Sequence, residues 1–249
     1  MTQPLLQPIQ PLQGRRAFVT GGSRGIGAGI VRRLVADGAR VVFTYAASPD
    51  RAQALVAELD AHAIAVRADS GDPAQLRTAV SEAAAALGGL DILVNSAGIL
   101  ISGDVAGYPQ ADFDRMIDVN VRGVFIGVQA ALAHMGEGGR IVNIGSMVAD
   151  VVRFPTSSVY ALTKGALAAF TRGLAHDLGP RGITVNNVQP GPTVTDIVPA
   201  EVHEMLRPMM PIGRLGQDRE VAALVAWLCR EEAAFVNGAS ITADGGFSA

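Results

Sequence analysis

Arg16-Ala17-Phe18-Val19-Thr20 runs straight into Gly21-Gly22-Ser23-Arg24-Gly25-Ile26-Gly27. The first five residues have the composition of a short strand, and residues 25–37 read as a helix ended by Gly38. A strand that turns on glycines into a helix begins a βα unit. Glycines let the backbone come close to a pyrophosphate, and the helix N-terminus supplies N–H donors and a favourable dipole. The spacing is Gly21-x-x-x-Gly25-x-Gly27 and not G-x-G-x-x-G, so by spacing alone a tight structural turn competes. The strand–turn–helix setting favours a nucleotide, held by Gly21, Ser23, Arg24, Gly25, Ile26 and Gly27.

Outward from this unit the same alternation continues. Strands are expected at 40–45, 63–67, 91–95, 140–145, 182–188 and 240–242. Helices are expected at about 49–60, from Pro73, at 111–135, 158–179 and 218–230. The expected fold class is α/β: a single-domain, Rossmann-type, doubly wound parallel sheet over residues 14–249 with helices on both faces. Residues 1–13 hold four glutamines and three prolines with no charged side chain, and read as a flexible extension. Pro190 to Gly216 is rich in proline and glycine and follows a strand, which marks it as a lid over the ligand.

Composition narrows the function classes. Of 249 residues, 49% are hydrophobic and 17% charged, with a formal net charge of -3. No basic patch stands out, so a nucleic-acid partner is not expected. The single cysteine, Cys229, cannot form an internal disulfide, which fits a reducing, cytoplasmic location. Neither a secretory signal nor a membrane span is apparent. The four histidines are scattered without ligand spacing, so no metal is expected. Val121 to Met135 and the helix after Tyr160 are apolar on more than one face. A helix on one sheet face needs only one such stripe, so a homo-oligomer is expected, with the homotetramer preferred.

The second strand ends Thr44-Tyr45-Ala46-Ala47-Ser48, without the acidic residue that would bond a ribose 2′-hydroxyl and repel a 2′-phosphate. Arg24 and Ser48 offer a cation and a neutral donor instead, with Arg51 as a weaker choice. The expected cofactor is therefore NADPH/NADP. Further along, Tyr160-Ala-Leu-Thr-Lys164 puts a phenol and an ammonium one helical turn apart on one face. Alone the pair means little. Behind a dinucleotide turn, it suggests a proton-donating phenol beside the cofactor.

These motifs, in this order, resemble the short-chain dehydrogenases/reductases over about residues 14–249. The glycine turn is similar to the family's TGxxxGxG. The resemblance implies that Asp69 meets the adenine ring, with the Ser70 backbone following it; Tyr45, at the end of the second strand, is also expected to bind the cofactor. Asn95-Ser96-Ala97-Gly98 resembles NNAG, in which Asn95, Ala97 and Gly98 support the sheet and line the cofactor; Ser96 departs from the usual Asn. Pro190-Gly191-Pro192-Thr193-Val194-Thr195 resembles PGxxxT, with Thr193 and Thr195 placed for the carboxamide and diphosphate. Asn120, Ser146, Tyr160 and Lys164 match the catalytic tetrad, and Asp244-Gly245-Gly246 is also typical.

The resemblance implies a reversible reduction of a ketone or aldehyde. Tyr160 would be the acid and Ser146 a hydrogen-bond donor to the substrate oxygen. Lys164 would tune Tyr160 and hold the nicotinamide ribose, and Asn120 would hold a water linking Lys164 to solvent. Lowering the phenol from about 10 by roughly three units would correspond to about 4 kcal/mol. Alternatives are a 3-oxoacyl-thioester reductase, and a nucleotide-binding regulatory protein on the same fold. Met205, Met209 and Met210 of the lid, with Met147, Val148 and Phe154, are candidate substrate contacts.

Overall fold

A computed structural model describes residues 10–195 and 200–249. Residues 1–9 of the expected extension and 196–199 of the expected lid lie outside the described residues. Seven strands form one sheet: β1 (Arg16–Thr20), β2 (Arg40–Tyr45), β3 (Ala63–Arg67), β4 (Leu90–Asn95), β5 (Met135–Ile144), β6 (Thr184–Pro190) and β7 (Ser240–Ala243). Their order is β3-β2-β1-β4-β5-β6-β7, and every neighbouring pair is parallel. The strand order reverses between β1 and β4, where Thr20 stands opposite Asn95. In such sheets the ligand crevice opens beyond the carboxyl ends at that point.

Both sheet faces are covered, which is why the central strands read as continuous apolar runs. Helices α1 (Gly25–Ala36), α2 (Pro49–Leu59) and α8 (Asp218–Leu228) pack Ile30, Leu34, Leu55, Val221 and Val225 with Val19, Phe43 and Val94. On the other face, α3 (Pro73–Leu87), α5 (Gly123–Leu132) and α6 (Ser158–Leu178) pack Leu76, Val80, Ile126 and Leu174 with Phe18, Leu93 and Ile141. Each large apolar side chain so buried contributes about 1.5–3 kcal/mol. Pro73 sits at the start of α3 behind Asp72, whose carboxylate accepts from the N–H groups of Ala74 and Gln75. Cys229 is buried at the end of α8, and burial pushes its thiol up to about 12. Among the described residues no helix is long and apolar enough to cross a membrane.

The structure corrects two expectations and adds a helix to the expected lid. The helix expected over 111–135 is broken: α4 (Gln110–Ile117) passes through a π-turn at Asp118–Arg122 into α5, which ends at Leu132. Met135 already belongs to β5, where it stands opposite Leu90. The lid segment contains a short helix, α7 (Ala200–Leu206), and a 3-10 turn at Arg207–Met209. Lastly, Leu12 does not sit in a free arm. Its side chain is buried in the α1 core, and its N–H donates to the Asp37 carbonyl at 2.8 Å.

Candidate active site

A cleft of about 550 Å³ opens where β1, β2, β4, β5 and β6 end. At one end Gly21, Ser23, Arg24, Gly25, Ile26 and Gly27 form its wall. Gly21 has φ +67°, and a β-carbon there would meet the Ala97 backbone at 2.8 Å. A β-carbon on Gly27 would collide with the Gly21 carbonyl oxygen, so only glycine lets the helix start this close to the strand. The turn is fixed from behind: the Thr44 hydroxyl oxygen accepts from the Gly21 N–H at 3.0 Å. The Thr20 hydroxyl oxygen accepts from the N–H groups of Ser96 and Ala97 at 3.0 and 3.1 Å.

The first turn of α1 has no acidic residue, and its N-cap, Arg24, makes no side-chain capping bond. N–H groups thus remain uncapped where a diphosphate would lie. Tyr45, Ala46, Ala47 and Ser48 continue the wall without a carboxylate. Arg51 is not on this wall. These features fit a dinucleotide with a phosphorylated ribose.

Asp69 and Ser70 also line the cleft, but the Asp69 carboxylate is already engaged. Arg115 of α4 donates to both of its oxygens, at 3.0 and 2.9 Å, and the Gly71 N–H donates at 2.8 Å. Arg115 therefore joins the wall as well, a residue that no motif marked. Ala97 and Gly98 lie on the surface, whereas Asn95 does not. Asn95 is buried behind the wall, where its Nδ2 donates to Asn143 Oδ1 at 2.9 Å. Asn143 in turn donates to Thr171 Oγ1 at 2.9 Å. Of its two expected roles, Asn95 is placed for the sheet and away from the cofactor wall.

Ser146, Tyr160 and Lys164 converge on the opposite wall. Ser146 follows the end of β5, while Tyr160 and Lys164 stand one turn apart on α6. Lys164 is buried, donates to the Ile144 carbonyl at 2.9 Å, and places Nζ 5.7 Å from the centre of the Tyr160 ring. The expected lowering of the Tyr160 phenol is not found. Burial pushes it up to about 12, opposed only by a hydrogen bond from Ser146. Burial also pushes Lys164 down to about 8. The ammonium is anchored to the Ile144 carbonyl, and desolvation is the largest cause of the shift in both groups.

Asn120 lies in the π-turn, fully buried and off the cleft surface. Its Nδ2 donates to the Ile99 carbonyl at 2.9 Å and to Thr163 Oγ1 at 3.1 Å, and its Oδ1 accepts from the Ile99 N–H at 2.9 Å. Both amide hydrogens are therefore used. The side chain retains only acceptor capacity for the water it was expected to hold.

Pro190, Gly191, Thr193 and Thr195 close the far side. Thr193 donates its hydroxyl to the Gly191 carbonyl at 2.9 Å. Gly191 packs on Asp244, whose carboxylate accepts from the N–H groups of Gly246 and Ser248 at 3.0 and 2.8 Å. This C-terminal loop brings Phe247 into the cleft beside Met147, Leu206 and Met210. Met147, Val148 and Phe154 line the cleft as expected, but Met205, Met209 and Met210 do not. Val152, Arg153 and Phe247 were not anticipated. Only the finished fold brings the last residues of the chain to the end of β5.

Comparison with known proteins agrees with this architecture. A family model described as Enoyl-(Acyl carrier protein) reductase matches residues 21–248. The Escherichia coli cyclic-di-GMP-binding biofilm dispersal mediator protein is 47% identical, over 95% of this chain and 98% of its own. A short-chain dehydrogenase from Burkholderia cenocepacia, solved in complex with NADP, is 52% identical with TM-score 0.93, covering 96% of this chain and all of its own. A short-chain dehydrogenase/reductase from Serratia marcescens is 51% identical with TM-score 0.93 and the same coverage. The chain belongs to the short-chain dehydrogenase/reductase family of oxidoreductases.

Proposed function

We propose that the chain is an NADPH-dependent reductase of a ketone or aldehyde, running in reverse as an alcohol dehydrogenase. The observation that carries this is the convergence of Ser146, Tyr160 and Lys164 on a cleft that begins at the glycine turn. Bound NADPH would supply a hydride to the carbonyl carbon. Tyr160, protonated at neutral pH, donates its proton to the carbonyl oxygen. The Ser146 hydroxyl donates a hydrogen bond to the same oxygen as negative charge develops on it. Lys164, still cationic at neutral pH, stabilises the tyrosinate left behind.

Gly21, Ser23, Arg24, Gly25, Ile26 and Gly27 would hold the diphosphate and adenosine side, with Tyr45 and Ser48 near the ribose and Asp69 and Ser70 near the adenine. Ala97, Gly98, Pro190, Gly191, Thr193 and Thr195 would hold the nicotinamide side. The carboxylate-free wall after β2 and the NADP complex of the Burkholderia relative both support the phosphorylated cofactor. A carbonyl panel assayed with NADPH and NADH in parallel tests the proposal.

The name of the Escherichia coli relative supports a second reading, a nucleotide-binding regulatory protein. Nucleotide binding with no turnover of any carbonyl would favour it. The thioester-reductase alternative needs free cations for an acidic carrier. In the lid region, however, Arg207 is paired with Glu204 at 2.8 Å and Arg214 with Glu220 at 2.6 Å.

The proposed homo-oligomer, a tetramer, would bury the outer faces of α5 and α6. There Phe125 is 47% and Leu162 53% exposed. Molar mass in solution checks this.

A further inference from the structure

Beyond Ser146 and Tyr160 the cleft has a distinct chemistry. Leu100, Val152 and Phe154 present exposed apolar surface to it, and Met147, Leu206 and Phe247 form its buried back. Among the described residues, Asp69 is the one carboxylate in the whole lining, and it is paired with Arg115. The Met147–Phe247 side therefore has no acid. It does have one exposed cation, Arg153.

Arg153 is held over an aromatic ring. Its guanidinium carbon lies 5.3 Å from the centre of the Phe247 ring. Phe247 is itself only 3% exposed and is wedged among Met147, Leu206, Met210 and Leu215. Phe154 flanks it, ring to ring, at 6.3 Å. A cation–π contact with the ring engages the charge and uses none of the guanidinium's N–H hydrogen-bond donors. Among the described residues, Arg153 makes no hydrogen bond or ion pair. A planar fork of donors, held over a fixed ring and set against apolar walls, is matched by a carboxylate. A cationic substrate would be repelled there.

We infer that the preferred substrate is a carbonyl compound with an apolar, aromatic body and a carboxylate, and that Arg153 selects the carboxylate. This rests on the carbonyl-reductase reading above. Met147 directly follows Ser146 and packs against Phe247, so the cation lies within a few side chains of the proposed reacting oxygen.

The test compares para-acetylbenzoate with its neutral counterpart, para-acetylbenzamide. Turnover with NADPH and direct calorimetric binding to the NADP-loaded protein are both measured, for the wild type and for Arg153→Met. In the wild type the benzoate is expected to be favoured roughly tenfold to a hundredfold. Arg153→Met removes that preference through KM and binding affinity, with at least about tenfold less effect on the benzamide than on the benzoate. Equal handling of both compounds by the wild type, or an equal loss for both in the variant, overturns the inference. If neither compound turns over, the wider carbonyl panel decides the carbonyl-reductase reading, and calorimetry decides the role of Arg153. Arg153-dependent binding of the benzoate supports it, and equal or absent binding rejects it.

Discussion

The ammonium of Lys164 stands over the face of the Tyr160 ring, 5.7 Å from its centre, with its hydrogen bond directed to the Ile144 carbonyl. A buried amine is thus set beside a phenol that is half-buried at the cleft wall. The arrangement leaves the phenol protonated and the amine close to neutrality in its titration, up to about 12 and down to about 8. It suits a proton donor with a cation waiting behind it.

Such a site is costly to the fold. Holding Lys164 charged at pH 7 costs about 3 kcal/mol, and its bond to Ile144 returns about 1 kcal/mol. Lys164→Met is therefore expected to stabilise the protein by about 1–2 kcal/mol at pH 7 while abolishing turnover. The folded amine releases its proton near 8 and the unfolded one near 10.5. Between those values the unfolded state binds more protons, so wild-type stability rises with pH. The advantage of the variant should shrink across that window. Urea unfolding at pH 7 and pH 9.5 measures both values; a less stable variant at pH 7 contradicts the account.

In the proposed reading, the wall after β2 would set the nucleotide preference by the carboxylate it lacks. Ala46 is exposed on that wall, so a carboxylate there should be tolerated by the fold. Ala46→Asp is expected to lower the NADPH-to-NADH ratio of kcat/KM by roughly tenfold or more, through repulsion of the 2′-phosphate. An unchanged ratio would place the phosphate elsewhere.

Asn95 serves the sheet. Asn95→Ala leaves the Asn143 side-chain oxygen without its donor in a buried setting and should cost about 1–3 kcal/mol. Because Asn95 lies off the cleft surface, affinity for NADPH should change less than threefold. Chemical unfolding and a cofactor titration separate the two effects.

Much of this was legible in the sequence. The alternation of β-branched and helical runs is a local signal, and the doubly wound sheet follows from it. Glycines at 21 and 27 announce close backbone approach because no other residue permits it. Ser146, Tyr160 and Lys164 lie close together along the chain, so their meeting was also readable. Other features depend on long-range packing. Arg115 reaches Asp69 across 46 positions, and Phe247 reaches the end of β5 from the last residues of the chain. The π-turn that buries Asn120 interrupts a run whose apolar pattern reads as one helix. The direction in which Tyr160 shifts depends on its burial, and spacing alone carries no burial.

Tyr160→Phe tests the central claim most directly, in a paired measurement of NADPH binding and of single-turnover reduction of a carbonyl that the wild type accepts. Loss of the phenolic proton should lower reduction by roughly a thousandfold while the dissociation constant for NADPH stays within about threefold. Reduction within tenfold of the wild type would contradict the assignment of Tyr160 as proton donor.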